Sequence, residues 1–145
     1  MKQQIRLEFD SIPSNESFAR VVVAAFLTRL NPTMEEVADI KTAISEAVTN
    51  AIIHGYRNEV HKIEIRAEVE EDLLTVSVQD FGVGIEDIGK AMEPLYTTRR
   101  DLERSGMGFV FMEAFMDTIN VESRPGMGTK VTMTKKIGRR YETQD

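Results

Sequence analysis

Three short polar motifs follow one another through the chain: Glu46-x-x-x-Asn50, Asp80-x-Gly82-x-Gly84 and Ser105-Gly106-Met107-Gly108. Glu46, Asn50 and His54 are spaced by four, so on a helix they share one stripe. An asparagine carbonyl is a hard oxygen ligand of the kind magnesium takes alongside waters and phosphates. A carboxylate one turn away can draw a proton from a hydroxyl or water held near a γ-phosphate. Taken alone, the pair more often marks a solvated helix face, because Glu and Asn are mostly exposed.

An aspartate closing an apolar strand, as Asp80 does, can accept a hydrogen bond from an exocyclic amine such as that of adenine. Gly82 and Gly84 behind it let the backbone approach a flat ring with no Cβ in the way. The same residue types also make ordinary turns. Ser105–Gly108 opens a helical pattern, where free N–H groups and the positive end of the dipole suit phosphates. No Lys-Ser/Thr follows, so this is not a Walker loop. A third glycine and a surrounding βαβ unit are missing, so it is not a dinucleotide fingerprint either. Alone it is equally a hinge. Between the two glycine motifs lie Thr97, Thr98, Arg99, Arg100 and Arg104 with no clean period, and such a loop in a compact domain is often a lid. Arg104, beside the glycine turn, is the candidate clamp on β- and γ-phosphates; the other arginines read as surface. Together the motifs describe a pocket for a nucleotide and a magnesium ion.

Those residues need elements to hold them. Residues 3–9 alternate as a strand with Ile5, Leu7 and Phe9 on one face. A helix is predicted from about Asn15 to Leu30, capped by Ser14, with Phe18, Val22, Ala25 and Phe26 inward. Thr33-Met-Glu-Glu36 is a capping box. It starts a helix carrying Val37, Ile40, Ile44, Val48 and Ala51 at helical spacing, which should run to His54 and stop at Gly55. Lys62–Val69 and Leu73–Gln79 read as a hairpin, 86–93 as a short helix and Met107–Met116 as a further helix. Thr118–Ser123 and Thr129–Ile137 form a last hairpin. Regular βαβ crossovers are missing, which points to an α+β chain: a two-layer sandwich with a mixed, mostly antiparallel sheet covered on one face by helices. Residues 1–137 read as one domain and 138–145 as a frayed tail.

The 145 residues suffice for one hydrophobic core. A net charge of −6 disfavours nucleic acid as the direct partner. The absence of cysteine rules out disulfides and thiolate metal sites. The N-terminus lacks a signal-peptide run and no stretch approaches a membrane span, so a cytoplasmic protein with no membrane partner is expected. Two histidines, His54 and His61, are too few and scattered for zinc.

Ser45-Glu-Ala-Val-Thr-Asn-Ala-Ile-Ile-His-Gly-Tyr56, Asp80-Phe-Gly-Val-Gly-Ile85 and Glu103-Arg-Ser-Gly-Met-Gly-Phe109 resemble the N, G1 and G2 boxes of the gyrase, heat-shock-chaperone, histidine-kinase and mismatch-repair ATPase superfamily. Within it the chain is similar to the small anti-sigma-factor serine kinases of endospore-forming bacteria; Asn15–Arg20 and Pro94–Thr98 also fit that family. The resemblance spans nearly the whole chain. It implies a sandwich of the Bergerat type, ATP or ADP with magnesium, and a homodimer. It further implies a sporulation sigma factor held inactive and an anti-anti-sigma factor phosphorylated on serine. By position Asn50 would hold magnesium and Glu46 would be the base, with Arg104 assisting. Asp80 would meet the adenine amine, Gly82 and Gly84 would flank the ring, and Thr129 would join through water. Ser105, Gly106, Met107 and Gly108 would line the phosphates beside Thr97 and Thr98. Arg20 is the candidate partner contact; it reads equally as an ordinary exposed arginine. Phe81 departs from the acidic residue common in the family and is expected to face away from the adenine. The rival readings are a histidine-kinase-type catalytic domain and a non-catalytic, ATP-gated binding module.

Overall fold

The computed structural model describes residues 1–92 and 108–138. Strand β1 (Lys2–Asp10) leads into helix α1 (Pro13–Leu27), a 3-10 turn (Thr28–Leu30) and helix α2 (Met34–Asn50), which continues into a π-helical turn (Ala51–Gly55). Strands β2 (Lys62–Glu70) and β3 (Leu73–Asp80), the short helix α3 (Ile88–Ala91), helix α4 (Gly108–Phe115) and strands β4 (Thr118–Arg124) and β5 (Gly128–Lys136) complete the order.

The five strands form one sheet in the order β1-β2-β3-β5-β4, and every neighbouring pair is antiparallel. The expected mixed, mostly antiparallel sheet is antiparallel throughout: β2–β3 and β4–β5 are hairpins, and the helical connections bring β1 beside β2 and β5 beside β3. Period-2 alternation puts Ile63, Ile65, Ala67 and Val69 of β2 and Leu74, Val76 and Val78 of β3 on the helix-covered face, all buried. Ile40, Ala43, Ile44, Ala47 and Val48 of α2 and Met112 of α4 close the core from above. Full burial of a side chain such as Ile65 or Leu74 stabilises by about 2 kcal/mol. The opposite sheet face is polar. There Glu64 lies between Arg6 and Arg66, which hold its carboxyl below the ordinary range, Arg66 contributing most.

The capping box at the start of α2 is present in full: Thr33 Oγ1 accepts the Glu36 N–H at 3.0 Å, and Glu36 accepts the Thr33 N–H at 2.8 Å. The second Glu36 oxygen accepts the Gly138 N–H at 3.0 Å, tying the end of β5 to the same helix start.

Helix α1 departs from the sequence reading. Pro13 opens it with Ile12 at the cap, Ser14 lies inside, and the helix stops at Leu27 before the 3-10 turn. Its buried positions are Ala19, Val23, Phe26 and Leu27, whereas Phe18 is 56% exposed and Ala25 is also exposed. The true stripe is one residue out of step with the expected one except at Phe26. With Val21, Val22 and Val23 in succession, periodicity gives no unique inner face. No helix among the described residues is long and apolar enough to cross a membrane.

Candidate functional site

The candidate residues gather where α2 ends, over the end of β3 and the start of β5. Helix α2 keeps regular winding through Asn50 and then widens into the π turn, in which the Tyr56 N–H donates to the Ala51 carbonyl at 2.9 Å. The wider turn lowers Gly55 onto the end of β3, where a Cβ on Gly55 would stand 2.7 Å from the Asp80 carboxylate. Single π turns recur at functional positions in helices.

Asp80 is the last residue of β3 and is 4% exposed. The Gly82 N–H donates to its Oδ1 at 2.9 Å, and the Thr129 backbone also donates to the carboxylate. Burial nevertheless pushes its carboxyl up to about 6, the loss of water outweighing both bonds. A buried carboxylate with acceptor capacity to spare is set to receive a further N–H donor.

The turn after Asp80 is pinned from two sides. The Val83 N–H donates to the Gly55 carbonyl at 2.9 Å, and a Cβ on Gly82 would come within 1.9 Å of that same oxygen, so only glycine fits there. The Tyr56 hydroxyl accepts the Phe81 N–H at 2.8 Å and donates to the Lys62 carbonyl. On the other side Gly84, at φ +78°, lies against the Arg124 carbonyl, and the Gly126 N–H donates to the Val83 carbonyl at 2.6 Å. Ser123 on β4 accepts the Ile85 N–H at 2.8 Å and donates to the Gly128 carbonyl at 2.9 Å. Its oxygen is also 2.8 Å from Thr129 Oγ1. Thr129 is the register partner of Asp80 across β3 and β5.

Gly108 on α4 meets the other end of the site. A Cβ there would stand 3.0 Å from Nδ2 and 3.2 Å from Oδ1 of Asn50. Gly55, Asp80, Gly82 and Thr129 are thus in direct approach, and so are Asn50 and Gly108; the α2 end with its π turn carries both sets. Glu46 lies one turn before Asn50 on α2 and is half-buried. Thr97, Thr98, Arg104, Ser105, Gly106 and Met107 lie outside the described residues. Arg20 is far from these in sequence, half-buried on α1, with Nε 3.8 Å from the Glu16 carboxylate.

A cavity of about 560 Å³ lies beside this cluster, lined by Tyr56, Arg57, Phe81, Gly82 and Val83 among others. It shares Gly55 and Gly82 with the cluster, but neither Asn50 nor Asp80 lines it, so it flanks the chemistry and does not contain it. Phe81, 59% exposed, faces this outer groove.

Tyr56 and Ser123 were not among the site residues expected from sequence. A tyrosine directly after the helix-ending glycine carried a signal, since a buried phenol must place its hydroxyl on a partner. Ser123 carried none, because its bonds depend on hairpin register.

The family model for the histidine kinase-like ATPase domain matches residues 10–135. The chain is 58% identical over 137 residues to the anti-sigma F factor of Clostridium acetobutylicum, covering 94% of this chain and 96% of that one. It is 59% identical over 135 residues to that of Caldanaerobacter subterraneus subsp. tengcongensis, covering 93% and 94%. To that of Oceanobacillus iheyensis it is 53% identical over 140 residues, covering 96% of each. Among solved structures it superposes on the RsbU and RsbW domains of Rv1364c from Mycobacterium tuberculosis with a TM-score of 0.67 at 22% identity. That match covers 93% of this chain and 32% of the other, and it supports the fold.

Proposed function

Because this chain belongs to the anti-sigma F factor family of histidine kinase-like ATPase domains, we propose that it restrains a sporulation sigma factor and phosphorylates its own antagonist. In this reading the substrate of phosphorylation is a serine on an anti-anti-sigma protein, the phosphate donor is ATP, and the protein acts as a cytoplasmic homodimer. The observation that carries the catalytic half is the junction at the end of α2, where Asn50 meets Gly108 and Gly55 meets Asp80.

Each residue has a task. The Asp80 carboxylate accepts the adenine amine and Thr129 joins the purine contact, while Gly82 and Gly84, whose bare sides face the Gly55 and Arg124 carbonyls rather than the ring, fix the path of the turn. The Asn50 carbonyl suits magnesium, and a glycine facing it leaves the amide uncovered by a side chain from α4. No group of three or more His, Asp or Glu among the described residues is placed to hold a metal by itself, so the remaining ligands would be phosphate oxygens and waters. Magnesium, when bound, offsets charge on those oxygens. Glu46 takes the proton of the serine hydroxyl as that oxygen bonds to the γ-phosphorus and ADP departs. Phosphoryl transfer asks mainly for positioning and electrostatic stabilisation, which this set supplies. Arg104 is the proposed clamp on the transferring group, with Thr97, Thr98 and the Ser105–Gly108 backbone about the phosphates.

The test is incubation of the protein with γ-labelled ATP, magnesium and a candidate anti-anti-sigma protein, followed by mapping of the label. Acid-stable label on one serine is expected. Acid-labile label on histidine would favour a histidine-kinase-type domain, to which the matched family model lends its name. Label on no partner would favour a binding module gated by ATP.

A further inference from the structure

We infer that Ser123 is a positioning residue for purine selection: it fixes the polarity of the Thr129 hydroxyl and so makes the site accept a 6-amino purine and reject a 6-oxo one. This rests on the reading of Asp80 and Thr129 as the adenine end. A serine hydroxyl has one proton and two acceptor lone pairs. The Ser123 proton goes to the Gly128 carbonyl at 2.9 Å, and one lone pair takes the Ile85 N–H at 2.8 Å. Only a lone pair remains for Thr129 Oγ1, 2.8 Å away. Thr129 therefore donates its own proton to Ser123. Turning the Ser123 proton to Thr129 instead would give up the bond to Gly128, which belongs to a buried residue.

With its proton committed, the Thr129 hydroxyl offers only acceptor capacity to a ligand. Its register partner Asp80, when ionised, is also acceptor-only. The two side chains at this end thus present lone pairs and no proton. An amino group at the purine 6-position supplies what they lack, whereas a 6-oxo purine sets a third acceptor against them at that position and carries its donor one atom away, on N1. Sites that desolvate polar groups reject a ligand that leaves those groups unpaired. The same Ser123 oxygen holds the Ile85 N–H, so one hydroxyl sets both the path of the turn after Asp80 and the direction of the Thr129 proton.

The test compares binding of ADP and inosine diphosphate, which differ in the 6-substituent and the N1 proton that goes with it and share the same phosphates. The parent is expected to prefer ADP. Ser123→Ala frees the Thr129 hydroxyl to rotate and donate, and the preference for ADP should fall by about tenfold, the worth of one hydrogen bond. Ser123→Thr keeps the hydroxyl and should restore it. In a Thr129→Val background, Ser123→Ala should lower the preference no further, since the effect runs through Thr129. Should Ser123→Ala lose its fold, Ser123→Cys fills the same volume with a weak hydrogen-bonding group and is expected to shift the preference in the same direction. Equal losses of ADP and inosine diphosphate affinity, with the ratio unchanged, would reduce Ser123 to a structural role and overturn the inference. A parent that binds neither nucleotide, or shows no preference, would instead remove the adenine reading on which it stands.

Discussion

Asp80 is where burial and chemistry oppose each other most directly. Its carboxyl titrates at about 6 in the folded chain against an ordinary 3.8, because burial costs more than the Gly82 and Thr129 N–H bonds return. A carboxyl raised on folding binds its extra proton in the folded state, so its contribution to stability falls as pH rises from about 4 to about 6 and is level above that. A shift of about two units is worth at most about 3 kcal/mol. Asp80→Asn removes the titration, although its amide opposes the Thr129 N–H and adds a constant penalty. Urea unfolding of parent and variant across pH 4–8 checks this. The variant should gain on the parent between about pH 4 and 6 and run parallel above. A stability difference that does not vary with pH would contradict the buried, ionising carboxylate. The stored cost suits a group kept for a ligand: an amine donor on Asp80 relieves it.

The elements that present these residues were largely readable, and the exceptions have physical causes. Strand alternation in Ile5–Phe9 and in Lys62–Val69, and the Thr33–Glu36 capping box, are local signals that tertiary structure left intact. The face of α1 was misread because consecutive valines blur a helical period, so its inner stripe was settled by packing against α2 and β1. The site motifs were legible as types and spacing, but the π turn was not. No residue in Ala51–Gly55 demands it; the need to seat Gly55 against Asp80 does. Ser123 was equally silent, since only the β4–β5 register brings it to Thr129. The π turn has a direct test in Gly55→Ala. A methyl 2.7 Å from the Asp80 carboxylate must displace it, costing about 1–3 kcal/mol in a packed setting. Calorimetric titration with ADP should show affinity reduced by about tenfold or more, a loss comparable to one misplaced hydrogen bond. Parent-like affinity would show that the turn does not set the site.

As a whole, the molecule keeps the proposed nucleotide end apart from much of its surface. The polar sheet face, the α1 helix and the outer groove by Phe81 leave ample surface for partners apart from the site. Arg20 on α1 is the proposed contact for both protein partners. Its ion pair with Glu16, at 3.8 Å on a partly exposed side chain, is weak enough for an acidic partner to displace. Arg20→Glu should lose sigma-factor capture and anti-anti-sigma binding together in a competition assay, with ADP affinity kept; unaltered capture of both would remove Arg20 from the interface. Two partners sharing one surface would let phosphorylation of the anti-anti-sigma protein weaken its own hold and leave the surface to the sigma factor. The decisive measurement is paired on one variant, Glu46→Ala: ADP binding by calorimetry and transfer of labelled γ-phosphate to the anti-anti-sigma protein. The expected result is ADP affinity within about threefold of the parent, since uniform binding does not need a proton acceptor, and transfer reduced by about a hundredfold or more, as befits loss of a general base. Transfer at the parent rate would contradict the assignment of the α2 acid and amide to a single catalytic site with Asp80 and Gly108.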